Sequence, residues 1–413
     1  MFKILILLFS VSSARASQIP RRDLNSLIEI ALKNNPAILK AKEHWKSLMA
    51  QVPAAATWED PLIGFQRMNF QGGQSADYWS IEQNVPFPGK LSQSAKMKHH
   101  EAMIAYQQYR AMGLDIASRV AIEYYRVSFL KETSSVLRKD ADILREIAQV
   151  AQASVASGRA TTDEALSAQA SEIQIKNAAF EREQESLVEE ESLNALLAKP
   201  AGTQWDLLNP SDPNAIDYTP QELDAIAEKI SPDYLLALHE IMHAKAMVAF
   251  NRLGFAPDFQ FSATQEARPY VATMQESVYG VNLTIPLWFW KQESLLKAAK
   301  AHKQEAEAAS EDAQNEILRQ IHSEFIEVNL HRDLALSYEH EIIPLANGAL
   351  KIAEKGYETG RTDFAKLSED VRSLLDAQLK YPEEVELYGE HLAKLERAIG
   401  GPLPVFKKGA TNP

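Results

Sequence analysis

Cysteine is absent from this chain of 413 residues, and no stretch approaches 18 consecutive apolar positions. Without cysteine the chain forms no disulfide and carries no lipid anchor on an N-terminal cysteine, so packing or oligomerisation must supply its stability. Without a long apolar run, a membrane-spanning helix is excluded. The sequence also lacks a G-x-x-x-x-G-K loop, so it offers no phosphate-binding loop for a nucleotide.

The first sixteen residues have the pattern of a secretory signal. Lys3 gives a basic start, Ile4 to Val11 an apolar core, and Ala14-Arg15-Ala16 an A-x-A cleavage site. The formal net charge is -13, and removal of Lys3 and Arg15 takes it to about -15 because both are basic. A strongly acidic exported chain repels phosphates, so nucleic acid is not an expected partner.

The rest of the sequence repeats one plan at an offset of 196 to 202 residues. Three pairs of segments carry the repetition: Asn35-Pro36 and Ser231-Pro232, Val85-Pro86-Phe87 and Ile285-Pro286-Leu287, Ser157-Gly158-Arg159 and Thr359-Gly360-Arg361. Such a period is too long for a solenoid. We therefore predict two equivalent halves of one body.

Composition and periodicity predict the elements inside each half. Most of the chain is rich in Ala, Glu, Lys, Gln and Leu, which favours helix, whereas Tyr78 to Val85 alternates in the manner of a strand. Each repeat is predicted to hold a helix, a β-hairpin (61–86 and 258–286) and a long helical hairpin (89–198 and 290–399). The predicted divisions are a signal peptide 1–16, a first repeat 17–199, a linker 200–220, a second repeat 221–400 and a C-terminal tail 401–413.

Two of these predictions concern the size and closure of the elements. The helix from Leu91 to about Ala156 would measure roughly 100 Å at 1.5 Å per residue. Four short strands cannot close a barrel within one chain, because the smallest closed barrels need about eight. An exported chain with such strands is therefore expected to be an oligomer.

Several segments, taken together and in this order, resemble the TolC family of outer-membrane efflux channels. They are the duplicated module, Asn35-Pro36, Gln83 to Lys90, the Ile285-Pro286-Leu287 corner and the turn Gly356 to Phe364. Pro88-Gly89-Lys90 and the Pro286 corner are similar to the CzcC/CusC-like branch, which serves heavy-metal cation efflux. The resemblance covers nearly everything after the signal.

The resemblance implies a mainly α fold with a small β part. Each chain of a homotrimer would give four strands to a twelve-stranded transmembrane β-barrel in the outer membrane, and the long helices would form an α-helical barrel across the periplasm. The implied partners are a periplasmic adaptor (membrane fusion) protein, an inner-membrane RND-type pump and outer-membrane lipid. Trp79, Tyr279, Trp288 and Trp290 would then lie at the membrane interfaces, or else pack in the corners.

The candidate site residues follow from the same resemblance. Gly158, Arg159, Gly360 and Arg361 are expected at the periplasmic tips, where the adaptor would dock. The family's acidic gate positions are Ala365 and Ser368 in this chain, so that acidic ring is not carried over. Asp363, Glu369 and Asp370 are nearby acids that would either substitute for it or form an ordinary solvated helix face. The channel would be passive, with no cofactor, no bound metal and no catalysis.

Two other functions stay open at this stage. A soluble periplasmic coiled-coil adaptor or scaffold would use the same helices without entering a membrane. A zinc hydrolase is suggested by His239-Glu240-Ile241-Met242-His243, an H-E-x-x-H motif with two histidines one helical turn apart. A working zinc site needs a third protein ligand, and the sequence continues with Ala244-Lys245-Ala246 instead, so we do not expect hydrolase activity.

Overall fold

The computed structural model describes residues 22–69, 75–156, 161–267 and 277–403. The predicted signal peptide therefore lies outside the described residues, as do most of the predicted tail and the outer turns of both β-hairpins. Nine α-helices, one π turn and four strands make up the described ranges. Within those ranges, none of the helices combines the length and the apolar composition needed to span a lipid bilayer.

The first half follows the predicted order of helix, hairpin and helical hairpin. Its elements are α1 (Leu24–Asn34), α2 (Pro36–Ala55), β1 (Leu62–Asn69), β2 (Ser75–Val85), α3 (Lys90–Ala156) and α4 (Thr162–Leu196). Asn35 separates α1 from α2 and its side chain accepts a hydrogen bond from the Ala37 backbone amide, while Pro36 occupies the first helical turn. Thr161 caps α4 by accepting from the Glu164 amide.

The second half repeats the order with different helix ends. Its elements are α5 (Pro220–Ile230), α6 (Pro232–Leu253), β3 (Asp258–Ala267), β4 (Ser277–Thr284), α7 (Phe289–Ser337), the π turn (Tyr338–Ile342), α8 (Ile343–Glu358) and α9 (Phe364–Ile399). Thr219 and Glu222 form a complete capping box at the start of α5. The mainly α fold with four strands, repeated in two halves, is confirmed.

The first helix of the second helical hairpin is interrupted just before Pro344, where the π turn separates α7 from α8. Pro344 has no backbone N–H and its ring crowds the carbonyl of the preceding turn. The helix relieves this crowding by widening into the π turn, in which the Ile343 amide donates to the Tyr338 carbonyl five residues earlier. The interruption thus has a local cause in one residue.

The strands form one antiparallel sheet in the order β1-β2-β3-β4. The pairing of β2 with β3 joins the two halves, with Trp79 opposite Gln265 and Val85 opposite Phe259. Antiparallel neighbours place directly opposed residues on the same face. The sheet is therefore a continuous four-stranded surface with two distinct faces.

The chain divides into two compact units that do not coincide with the two halves. One unit holds the described parts of Met1–Ala31, Val120–Asp212 and Ser337–Glu386, and the other holds Leu32–Arg119, Pro213–Leu336 and the described part of Leu387–Pro413. Apolar cores exist in both. In the first unit, α3, α8 and α9 pack through Leu144, Leu350 and Leu367; in the second, α5, α7 and α9 pack through Leu223, Ile321 and Leu395.

Candidate functional site

One face of the sheet is apolar although it is open to solvent in the single chain. Phe65 lies opposite Trp79, with ring centroids 4.9 Å apart, and Tyr279 on this face is 82% exposed. The exposed apolar members of the face are Ile63, Phe65, Trp79, Ile81, Phe261, Tyr279, Val281 and Leu283. An exposed apolar surface of this kind marks an interaction site for an apolar partner.

The opposite face of the sheet is mainly polar, with Leu62, Met68 and Val278 as its exposed apolar residues. The Gln260 side-chain amide donates to Glu82, and the Asn282 amide donates to the Gln260 side-chain oxygen, at 3.1 Å in both cases. Its polar members are Gln66, Ser80, Glu82, Asn84, Gln260, Ser262, Thr264, Glu266 and Asn282. The sheet therefore separates an apolar side from a hydrated side, as the alternation of the strands predicts.

An ion pair ties the two halves together where the strands meet the helices. Both Asp258 carboxylate oxygens lie 2.8 Å from Lys90 Nζ, and Asp258 Oδ1 also accepts a hydrogen bond from the Phe87 backbone amide at 2.7 Å. Only 13% of the Lys90 side chain is exposed. The Pro88-Gly89-Lys90 segment thus anchors the first hairpin to the first residue of β3.

The second helix-to-helix turn, from Gly356 to Phe364, closes through backbone hydrogen bonds. The Arg361 amide donates to the Gly356 carbonyl at 2.7 Å and the Gly360 amide donates to the Tyr357 carbonyl at 3.1 Å. These two bonds define a Schellman motif whose left-handed position is Gly360, with φ of 72°. Gly360 and Arg361 therefore lie at an exposed turn, as the sequence predicts.

Gly356 has a steric role in the same turn. A Cβ at this position would lie 2.1 Å from Thr362 Oγ1 and 2.9 Å from Thr362 Cβ. Thr362 also donates its backbone amide to the Gly356 carbonyl at 3.1 Å. The two segments can approach this closely because Gly356 has no side chain.

The candidate gate acids differ in what their carboxylates contact. Asp363 Oδ1 accepts from the Lys366 amide at 2.8 Å and so caps α9. Lys366 Nζ lies 2.9 Å from Asp370 and 3.2 Å from Glu369, and hydrogen bonds to these two acids, Asp370 first, raise the pKa of Lys366. The structure brings Glu369 and Asp370 together around one cation, whereas Asp363 serves the helix end.

The other predicted tip residues, Gly158 and Arg159, lie outside the described residues. Near the second turn, α3, α4 and α9 surround a cavity of about 300 Å³. Much of its lining is apolar and includes Leu144, Ile147, Ile175, Phe364, Leu367 and Val371. An apolar pocket therefore opens beside the predicted docking turn.

The H-E-x-x-H histidines lie on α6 and meet a histidine of α3. His239 Nδ1 is 3.4 Å from His100 Nδ1, and the ring centroids of His99 and His100 are 5.4 Å apart. Burial lowers the pKa of His100, His239 and His243, and repulsion from neighbouring histidines adds to this shift, which Glu101 partly opposes at His243. The motif thus contributes to a neutral, partly buried contact between the halves.

Sequence reasoning missed one further cluster. Glu327, His331 and His391 each offer one ligand atom, and these atoms lie within 4.8 Å of one another. Glu327 and His331 have the four-residue spacing of one helix face, which the sequence displays. Nothing in the sequence places His391, sixty residues further along, beside them.

Comparisons with known proteins bear on the fold. Residues 226–401 match the family model described as outer membrane efflux protein. The match begins inside α5, ends two residues beyond α9 and covers nearly all of the predicted second repeat. No curated protein sequence matches this chain.

Solved structures of membrane proteins match much more of the chain. The outer-membrane channel OprN matches with a TM-score of 0.80 and 16% identity, covering 92% of this chain and 90% of its own. VceC from Vibrio cholerae gives 0.79 and 18%, covering 92% and 96%; CusC gives 0.78 and 15%, covering 93% of each chain. The chain therefore shares the fold of these proteins over nearly its whole length.

Proposed function

We propose that three copies of this chain form an outer-membrane channel that acts as the passive exit duct of a tripartite efflux system. The observation that carries the proposal is the four-stranded sheet with one exposed apolar face and one polar face. β1 and β4 are its outer strands, so three sheets joined edge to edge close a twelve-stranded barrel. The apolar face then meets lipid and the polar face lines a hydrated pore.

The residues at the ends of the strands support a position across the outer membrane. Trp288 directly precedes α7 and Trp290 lies in its first turn; their ring centroids are 5.2 Å apart and both are exposed. Exposure favours a role at the membrane interface over packing in the corner. At the other end of the sheet, the apolar face finishes in a charged pair, Arg67 and Asp77 at 2.6 Å, which suits water beyond the lipid.

The turn at Gly360 and Arg361 is proposed to dock the periplasmic adaptor, together with the turn that the sequence predicts at Gly158 and Arg159. Arg361 is exposed and its side chain is not needed for the backbone bonds of the turn. We expect Arg361→Gln to leave trimer stability unchanged and to reduce efflux. The matched control is Lys351→Gln, which removes an exposed cation from α8. An equal loss of efflux in the two variants would contradict docking at the turn.

Glu369 and Asp370 are the better candidates for a cation-selective gate, because Asp363 is engaged as a helix cap. Lys366 holds both acids and offsets their charge. We expect Lys366→Gln to raise cation selectivity in single-channel recordings, since rings of carboxylates favour cations. Unchanged selectivity would place the gate elsewhere.

Heavy-metal cations remain a proposed substrate class. The support is the resemblance of Pro88-Gly89-Lys90 and the Pro286 corner to the metal-efflux branch. CusC matches no better than OprN does, so the structural likeness does not favour the metal branch. A panel of metal and drug sensitivities after deletion of the gene tests this point, and unchanged metal sensitivity would remove the metal assignment.

Isolation of the protein tests the channel itself. We expect a heat-resistant trimer in outer-membrane extracts, ion conductance in planar bilayers, and restoration of efflux by the wild-type gene. Recovery as a periplasmic monomer would instead favour the adaptor or scaffold. Glu240→Gln is expected to leave efflux intact, whereas the zinc-hydrolase alternative requires that it abolish activity.

A further inference from the structure

Two histidines and two glutamates meet between α7 and α9, away from the features proposed for transport. His391 Nδ1 lies 2.7 Å from Glu324 Oε2, and His331 Nε2 lies 3.6 Å from Glu327 Oε2. The two imidazole rings are parallel within 7°, with centroids 5.3 Å apart. Both histidine side chains are largely shielded from solvent, with 13% and 19% exposed.

Glu324 fixes the orientation of His391. A neutral imidazole carries one N–H and one free lone pair, so when Nδ1 donates to Glu324 the lone pair of Nε2 is available. A carboxylate that accepts from the far nitrogen of a histidine is the usual support of a histidine metal ligand. The 2.7 Å contact gives His391 that arrangement.

The cluster has the ligand chemistry and nearly the spacing of a metal site. Imidazole nitrogens and carboxylate oxygens suit Zn²⁺ and its neighbours in the first transition row. Two ligands of one tetrahedral zinc are roughly 3.3 Å apart, from bond lengths of about 2.0–2.1 Å. The three ligand atoms lie within 4.8 Å of one another, so small side-chain rotations close the site. Arg332, next to His331 in the sequence, donates to Asp333 at 2.6 Å.

We propose that Glu327, His331 and His391 bind a divalent first-row transition cation, with Glu324 as the positioning residue. The cation fastens α7 to α9 inside one compact unit, next to the apolar core formed by Ile321, Val328 and Leu395. The inference does not rest on the proposed channel function. The two proposals can fail separately. A channel that binds no metal would contradict this site, and a metal-binding chain that conducts no ions would contradict the channel.

Zinc titration of the full-length protein, purified in detergent in its assembled form and stripped of metal, tests the proposal. We expect one Zn²⁺ per chain by isothermal titration calorimetry and a saturable rise in the unfolding temperature, because a ligand that binds only the folded state stabilises it. Co²⁺ provides an absorption spectrum that reports nitrogen and oxygen coordination. Absence of saturable binding would overturn the proposal.

Variants assign the binding to these residues. His331→Gln and His391→Gln are expected to abolish the stoichiometric site, and Glu324→Gln to weaken zinc affinity by about 10- to 100-fold as loss of a supporting carboxylate does. The matched control is His322→Gln, which removes an α7 histidine that contacts one carboxylate, Asp224 at 3.0 Å, and should bind zinc as the wild type does. Glu327→Gln removes a proposed ligand at a more exposed position and should also weaken zinc binding. It therefore tests the site if a histidine variant fails to fold.

The contact between His100 and His239 is the alternative place for a metal in this chain. If zinc binding survives in His331→Gln and His391→Gln but is lost in His100→Gln or His239→Gln, the metal occupies the contact between α3 and α6. That result would contradict the proposed site while leaving the channel proposal untouched.

Discussion

In the first half the long helix α3 runs from Lys90 to Ala156 without a break, whereas the second half divides nearly the same length among α7, the π turn and α8. At the offset of 202 residues that relates Gly360 to Gly158, the position of Pro344 is occupied by Asp142. One imino acid therefore accounts for the difference. Two repeats with the same order of elements can therefore differ in local helix geometry, provided that the surrounding helices supply the packing.

The sequences at the ends of these two helices differ as well. Gly356 permits the close approach of Thr362, but the equivalent residue in the first half is Ser154, which carries a side chain. The second turn is thus built around two glycines with different tasks. Variants that exchange features between the halves test whether these differences matter.

A proline at the equivalent position of the first half should have the largest effect on stability. Asp142→Pro places a proline inside α3, where it removes a backbone hydrogen bond and crowds the preceding turn, and we expect a loss of about 3 kcal/mol or more. Thermal unfolding followed by circular dichroism measures it. Asp142→Ala is the control, since it removes only the exposed ion pair with Arg145. Wild-type stability in the proline variant would show that α3 can also widen into a π turn.

Filling the space at Gly356 should have the next largest effect. Gly356→Ala introduces a Cβ into the contact with Thr362, and overpacking of this kind costs about 1–3 kcal/mol. Gly348→Ala on the same helix meets nothing within 4 Å and should be neutral or slightly stabilising. Thr362→Ala should restore part of the loss in the double variant. Equal stabilities for the two alanine variants would contradict the close approach.

Gly360→Ala should lower the free energy of unfolding by a smaller amount, about 1–2 kcal/mol, because the alanine must adopt a left-handed conformation. Asparagine tolerates that conformation better, so Gly360→Asn should lie between alanine and the wild type. Hydrogen exchange of the Arg361 and Thr362 amides provides a local measurement. If the alanine variant exchanges no faster than the wild type, the backbone bonds of the turn do not depend on glycine.

The smallest expected effect on stability comes from acid, which should weaken the contact between His100 and His239. Burial first, and then repulsion from His239, His99, His243 and Lys96, lowers the pKa of His100 below its ordinary value. The folded state therefore binds fewer protons than the unfolded state, and stability falls as pH drops through about 6.5 and below.

The measurement compares unfolding temperatures at pH 7.5 and pH 5.5. The double variant His100→Gln and His239→Gln should show a smaller decrease than the wild type. Lys90→Gln serves as a control because it removes an ion pair between the halves, with Asp258, and leaves every histidine in place. A pH response unchanged by loss of the two histidines would assign the acid sensitivity to other groups.

The sequence predicts the helices and strands well because proline and glycine interrupt the helical pattern at nearly every boundary. Thr161 is a residue type that favours the cap position it occupies at the start of α4, and the strand alternation at Tyr78 to Val85 predicts the two faces of the sheet. Contacts between distant segments were not predictable in this way. Lys90 and Asp258 are 168 residues apart, and only the pairing of β2 with β3 brings them together.

The candidate sites show the same limit. The turn at Gly360 could be predicted because glycine and its neighbours act locally. The role of Asp363 as a helix cap also follows from local sequence, but the binding of Glu369 and Asp370 to Lys366 depends on rotamers. His331 and His391 meet because α7 and α9 pack side by side, and a single sequence carries no direct signal of that packing.

The division of the chain into units that cross both halves has a consequence for the order of folding. One unit needs Ser337–Glu386 and the other needs residues from Leu387 onward. A ribosome must therefore synthesise most of the chain before either core can close. The nascent polypeptide stays open until late in its synthesis, which is the condition that passage through a narrow secretion pore requires.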